Sequence, residues 1–316
     1  MYWPGWRRSC RARRAGTLLL GRIRALAVGD DSWVRVVSWN VNFPGSKRAA
    51  REGALLRELC PSLVLLQEVN PASAGILRQA AGADWMVCAD ELPDAAPGLA
   101  PARCRVTAVA GYGLPDPHHR ALLEGLQPWR TVAVATTTGG VEVFAASYHA
   151  PPGVSYGIAK PRQAVAFASW LEGHRGPALF GADANTPLVD AVDFAAMRTH
   201  WHTGDRRLNG EPGDDLLFGP GKKHALDDAL RHWLAEHPDE MAALAVNGPQ
   251  GPLAVTHRTG RRKNARGTGR RFDSVWISSH WTVRHIEHLY DGGIAAGSDH
   301  AVVVADLDLT PGPRLR

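Results

Sequence analysis

Short apolar runs, each closed by one or two polar residues, recur along this chain. Ser32–Trp39 is β-branched and aromatic and opens into the polar loop Asn40–Gly45, which predicts a strand ending at Asn40. Residues 47–59 carry Leu55, Leu56 and Leu59 at helical spacing and stop at Cys60-Pro61; Leu63–Leu66 is the next buried strand and delivers Gln67-Glu68 at its end. Further strands are predicted at 85–88, 106–110, 130–135 and 141–148, with Thr137-Thr138-Gly139-Gly140 as the turn of a hairpin between the last two. Val165, Phe167, Ala168 and Leu171 predict a helix over 160–172. Ala178–Gly181 then reads as a buried strand running into Asp183-Ala184-Asn185. The interval 186–271 is least patterned, with one helix expected near 225–237 from Leu226, Leu230 and Leu234; Phe272–Ile277 and Ala301–Leu307 are the closing strands. Many short strands interleaved with helices imply an α/β layered fold containing both hairpins and crossovers. No strand feeds a GxGxxG helix, which argues against a dinucleotide fold, and no fixed-period repeat is present.

Charge changes this picture at two places. The 316 residues carry a formal charge of +5, yet residues 1–24 hold seven Arg and no acid, and residues 258–271 hold seven Lys or Arg and no acid. The remainder has 22 basic against 31 acidic residues, so an acidic body carries two cationic segments, either of which suits an anionic partner. Residues 1–30 are expected to be a disordered basic extension to a single domain over 31–310, elaborated at about 200–271. Arg7-Arg8 resembles a twin-arginine signal, but Gly21, Arg22 and Arg24 interrupt the apolar Thr17–Leu20, so neither a signal core nor a membrane span is expected. A cytoplasmic monomer is the expected state, with secretion as the alternative. Cys10, Cys60, Cys88 and Cys104 form no CxxC and no zinc-ribbon spacing.

The polar residues that close the strands carry the candidate chemistry: Asn40 and Asn42, Glu68, His149, Asp183 with Asn185, and Asp299 with His300. Strand ends sit at the edge of a rigid sheet, so several can converge on one cleft. Hard oxygen donors of this kind suit Mg²⁺, with Mn²⁺ as the alternative, whereas a Cys set or HExxH expected for zinc is missing. Each residue also has an ordinary structural reading, such as an Asx-turn for Asp183 and Asn185 or a turn-bridging amide for Asn40. That all of them should be ordinary at once, each at the end of an apolar strand, is the weaker explanation.

Ser38-Trp39-Asn40-Val41-Asn42, Leu66-Gln67-Glu68-Val69, Ser147-Tyr148-His149, Gly181-Ala182-Asp183-Ala184-Asn185, Arg271-Phe272-Asp273-Ser274-Val275 and Gly297-Ser298-Asp299-His300 together resemble, in order, the motifs of the endonuclease/exonuclease/phosphatase superfamily, the DNase I-like group. The resemblance covers about residues 33–309. It implies a four-layer sandwich of two mixed, mainly antiparallel sheets flanked by helices. It also implies that Glu68, helped by Asn40 and Asp299, holds a metal ion, that Asp183 orients or deprotonates water, and that Asn185 positions phosphate. His300 steered by Asp273, together with His149, would handle charge and protons. Asn42 stands where abasic-site enzymes of the group tend to carry an Asp, and His149 where they use a tyrosine.

On this reading the activity is metal-dependent phosphodiester hydrolysis, with a nuclease as the leading expectation. The basic run adjoins Asp273, and Arg258, Arg261, Arg262 and Arg270 offer guanidinium groups for a nucleic-acid backbone. Lys160 and Arg162 are further candidates for phosphate contact, or cap the sheet edge. The alternatives are a phosphatase or phosphodiesterase acting on a small molecule or lipid headgroup, and a catalytically silent binding module of the same fold.

Overall fold

The computed structural model describes residues 33–92, 104–122, 127–152, 158–199, 213–259 and 268–310. The expected extension over residues 1–30 lies outside these. Strands β1 (Trp33–Asn40), β2 (Leu63–Val69), β3 (Trp85–Cys88) and β4 (Val106–Gly111) come first; β5 (His119–Leu122), β6 (Thr131–Thr138), β7 (Val141–His149), β8 (Ala178–Asp183) and β9 (Asp227–Asp228) follow. A hairpin of β10 (His257–Thr259) and β11 (Thr268–Arg270) precedes β12 (Asp273–Ile277), β13 (Trp281–Leu289) and β14 (Val302–Leu309). Among the described residues two six-stranded sheets form, ordered β13-β14-β1-β2-β4-β3 and β5-β6-β7-β8-β12-β9. Both are mixed: β1 runs parallel to β2 and β7 parallel to β8, while the other neighbouring pairs described, such as β2 with β4 and β8 with β12, are antiparallel.

Helices α1 (Ser46–Leu59), α2 (Pro71–Ala81), α3 (Ala159–Gly173), α4 (Gly213–Phe218), α5 (Ala229–Ala235), α6 (Pro238–Asn247) and α7 (Tyr290–Ala296) complete the α/β sandwich. The sequence expectation for α1 and α3 holds to within a residue at each end. The helix expected over 225–237 starts later, because Asp228 pairs with Trp276 as part of β9 and its carboxylate then accepts from the Leu230 N–H at 3.0 Å, capping α5. The predicted hairpin forms: Thr138 faces Val141 across Gly139 and Gly140, both at positive φ as a tight two-residue turn requires.

Apolar residues of both sheets fill the space between them, including Val36, Leu65, Val134 and Val275. A second, aromatic core covers the outer face of the second sheet, where Tyr148 stacks on Phe167 of α3 at 5.2 Å and Phe180 on Trp276 at 5.9 Å. Near the site the sheets approach closely and the contact turns polar. Gln67 Nε2 donates to Ser147 Oγ at 3.1 Å, and a methyl group added at Gly181 would stand 2.5 Å from Ser38 Oγ. Only a glycine fits there.

Candidate active site

Sheet register builds the site. His149 lies opposite Asp183 across the β7/β8 pair, and Asp183 lies opposite Asp273 across β8/β12, so three side chains from distant stretches line one edge of the second sheet. The first sheet supplies Asn40 and Glu68. In a regular strand Gln67 and Glu68 would point to opposite faces. The pairing of β2 with β4 shifts register between Leu66 and Val69, and Glu68 adopts φ 53. This irregularity turns Glu68 to the same side as Gln67, where its Oε1 stands 3.4 Å from His149 Nε2. A left-handed carboxylate residue costs about 1–3 kcal/mol and is a feature of functional sites.

Asp183, almost wholly buried, is the hub. Asn40 Nδ2 donates to its Oδ2 at 2.7 Å, the Asn185 N–H donates to its Oδ1 at 3.1 Å, and His149 Nε2 and His300 Nε2 stand 3.6 and 4.0 Å from Oδ2. Burial pushes the Asp183 carboxyl up, and the His300 ring opposes that shift. His300 faces it with Nδ1 held by Asp273 at 2.9 Å. Burial works against a charged ring there, but Asp273, Asp183 and Asp299 outweigh it and push His300 up to about 10. His149 behaves oppositely: burial, and then the Arg130 guanidinium, hold it well below the usual histidine range. The two buried histidines thus differ in charge, His300 cationic and His149 neutral.

The acidic edge suits a hard cation. The Glu68 carboxyl is pushed up by burial and opposed first by Arg105, whose exposed guanidinium is salt-bridged to Glu68 Oε2. A cation beside Glu68 is therefore what this pocket accommodates. Half-buried Asp299 presents a second carboxylate, held at about 2 chiefly by its hydrogen bond with His257. Asn40 departs from the expected ligand set: its Nδ2 is turned to Asp183 and its Oδ1 accepts from the Asn42 N–H at 2.8 Å, so it supports Asp183. Among the described residues, the close groups of three potential ligands are Asp183, Asp273 and His300, and His257, Asp299 and His300; Glu68 belongs to neither. In the first, Asp273 is already engaged by His300 Nδ1 at 2.9 Å.

The expected phosphate-binding residues are only partly free for that role. Lys160 is a correction: it is buried, its Nζ donates to the Asn185 carbonyl at 2.8 Å and lies 3.2 Å from Asp214, so it braces the Asn185 loop from behind. Asn185 in turn donates from Nδ2 to the Ala150 carbonyl at 3.2 Å. Arg270 donates to the Leu188 carbonyl at 2.5 Å, and the Arg258 guanidinium lies over the Tyr290 ring at 5.4 Å, so both are engaged by the body of the protein. Arg162 is exposed on α3. Arg261 and Arg262 lie outside the described residues.

Three residues were not anticipated from sequence. Arg105 is one, and Arg130, whose Nη1 lies 2.8 Å from His149 Nδ1, is another. The third is His257 of β10, whose ring lies 4.5 Å from that of His300 in a stacked arrangement and whose Nε2 is 3.7 Å from Asp299 Oδ2. Nothing local marks His257 among fourteen histidines. Arg130 did carry a signal, since a two-residue turn at Gly139-Gly140 sets a register that runs back to Arg130 beside His149.

Comparison with known proteins agrees with this architecture. Solved structures with a similar fold include an endonuclease/exonuclease/phosphatase protein from Bacteroides vulgatus (14% identity, TM-score 0.58, 88% of this chain and 100% of that one). D. rerio TDP2 complexed with single strand DNA product is similar over 88% of this chain and 99% of that one, at 15% identity and TM-score 0.54. The human Nocturnin catalytic domain with bound sulfate anion is similar over 89% and 96%, at 17% identity and TM-score 0.55. No curated protein sequence matches the chain. The sequence profile of the Endonuclease/Exonuclease/phosphatase family matches residues 37–300, a span that contains every member of the site from Asn40 to His300. This chain belongs to that family.

Proposed function

We propose that this protein is a divalent-metal-dependent phosphodiester hydrolase whose substrate is nucleic acid. The observation that carries the reading is the convergence of Glu68, His149, Asp183, Asp273 and His300 from two sheets onto one acidic edge. Asp183, fixed by Asn40 and Asn185, aligns the attacking water and takes its proton. His300, kept protonated by Asp273, faces the negative charge that develops on phosphate oxygens. A divalent cation held by Glu68 and Asp299 would add Lewis-acid polarisation of the phosphate. Arg105 would then be released from Glu68 toward the incoming anion.

Nucleic acid is favoured by the basic run ending at Arg271 beside Asp273 and by the DNA-bound state of the similar TDP2 structure. A small phosphoester is the second reading, favoured because Lys160 and Arg270 are spent on protein carbonyls. No helix among the described residues is long and apolar enough to cross a membrane. We further take the folded unit to be one domain over about 31–310 that acts as a monomer. The test is hydrolysis of plasmid, single-stranded DNA, RNA, a bis-phosphodiester dye, inositol phosphates and sphingomyelin in Mg²⁺, Mn²⁺ or EDTA. Activity on a nucleic acid that EDTA abolishes, and that Asp183→Asn nearly abolishes in a folded protein, is expected. Hydrolysis of none in any metal would point to a silent binding module.

A further inference from the structure

The turn that leaves β1 beside Glu68 is held in a backbone conformation that side chains rarely adopt. Asn42 and Phe43 have φ 49 and 51, two consecutive left-handed residues, and for a residue as bulky as phenylalanine that is an outlier. Surrounding groups over-determine it. The Phe43 N–H donates to the Glu68 carbonyl at 2.7 Å, Arg48 Nη2 donates to the Asn42 carbonyl, and Ser73 Oγ and Asn70 Nδ2 donate to the Pro44 carbonyl at 2.6 and 3.1 Å. What this strain secures is the place of the Phe43 ring. It belongs to neither hydrophobic core, stays half-buried, and lines an open cavity of about 500 Å³ together with Gly45, Ser46, Lys47 and Arg48.

The cavity borders the proposed active site. Arg105, salt-bridged to Glu68, has its guanidinium over the Phe43 ring, 5.9 Å from the ring centre, so one cation spans the two. Lys47 is exposed, and the described lining carries two cations and no acid. An aromatic ring among cations, beside a phosphate-cleaving centre, is the chemistry that takes a base and the phosphates flanking it. The basic run 258–271 contains no aromatic residue, so a base needs its stacking partner elsewhere. We propose that Phe43 is a stacking platform for the nucleobase next to the scissile phosphate, with Lys47 holding the phosphate beyond that base. A base inside a duplex already has both faces covered by its neighbours, so the substrate this platform takes is a single strand.

The position next to a scissile phosphate rests on the hydrolase function proposed above, whereas stacking on Phe43 does not. Binding tests the two separately. A short oligothymidylate is compared with an oligomer of equal length built from abasic tetrahydrofuran units, which keeps the phosphates and lacks the bases. Dissociation constants are read by fluorescence anisotropy in Ca²⁺, with both oligomers checked intact afterwards. The parent should bind oligothymidylate roughly 5–150-fold more tightly than the abasic oligomer, the range for one stacked base. Phe43→Leu should lose most of that preference with affinity for the abasic oligomer within about twofold of the parent's, and Phe43→Trp should keep it. Lys47→Gln should weaken both oligomers alike and lower the slope of log K against log salt by about 0.7. A preference unchanged in Phe43→Leu overturns the platform, and so does a parent that binds neither oligomer; an unchanged salt slope removes Lys47 from it. If Phe43→Leu does not fold, photo-crosslinking of the parent to oligothymidylate carrying 5-iodouracil decides. The adduct should map to Phe43, and its absence from Phe43 refutes the platform. Phe43-dependent binding without hydrolysis of any ester would remove the hydrolase function and leave the platform standing. Nucleic-acid hydrolysis with binding indifferent to Phe43→Leu would do the reverse.

Discussion

Replacing Asp273 by Asn tests the electrostatic centre of the site. Asp273 is fully buried and holds His300 Nδ1 at 2.9 Å, and burial alone would drive that ring toward neutrality. A ring raised from 6.5 to about 10 prefers its protonated form by about 5 kcal/mol more than a free histidine does. Asn retains the size of Asp and can still accept from Nδ1, but it removes the charge, so His300 should become neutral near pH 7.5. The folded ring of the parent binds its proton more tightly than the unfolded one. Its stabilisation is therefore complete below pH 6.5 and is lost as pH rises to about 10. Two results are expected. On the substrate found in the ester panel, kcat at pH 7.5 falls roughly 10²–10⁴-fold, the range for loss of a positioned acid. In urea denaturation the parent is more stable than the variant below pH 6.5, and the gap closes toward pH 10. A variant with kcat within threefold of the parent, or a gap that does not narrow with pH, would refute the reasoning.

Three more outcomes follow from other features. Glu52 of α1 is buried against Arg48 at 3.4 Å and burial lifts its carboxyl to about 8, so it should favour folding most below about pH 4.5 and progressively less up to pH 8. Glu52→Gln should remove up to about 5 kcal/mol of that pH dependence in denaturant titrations; an unchanged slope counts against it. Arg271, buried between Asp190 at 2.7 Å and Asp228 at 2.7 Å, ties the 186–198 segment and α5 to the second sheet. Arg271→Met should cost about 3–5 kcal/mol because two buried carboxylates lose their partner, and a loss under about 1 kcal/mol in urea would contradict this. Gly181→Ala should lower stability by about 1–3 kcal/mol and reduce turnover with it, since its methyl would stand 2.5–2.9 Å from Ser38 and Leu65 of the opposite sheet; an unshifted Tm would show that the sheets can part freely.

Legibility followed the range of the interactions. α1, α3 and the β6/β7 hairpin were readable because their cues are local: apolar spacing on one face, a Pro after the last turn, two glycines where φ must be positive. β10, β11 and β13 were not read, since short or half-exposed strands gain their definition from the partner across the ladder. α2 also went unread, although Asn70 caps it from a position just before Pro71. Glu68, Asp183, Asp273 and His300 stood out because each closes or opens an apolar strand. Lys160 was misassigned for the complementary reason. A lysine beyond a stiff loop looks free until the structure shows Asp214, fifty-four residues later, beside it.

By itself, then, the sequence determined which strands end in chemically able residues, and in what order, because apolar periodicity and strand termination are properties of a dozen residues at a time. Tertiary structure decided which of those ends meet. It placed His149, Asp183 and Asp273 in one row by sheet register and turned Glu68 into the cleft through a left-handed residue at an irregular pairing. It also set a guanidinium against one histidine and a carboxylate against the other. Protonation state is the quantity most dependent on that placement, because a buried group takes its charge from neighbours within a few ångströms, and those neighbours come from every part of the chain.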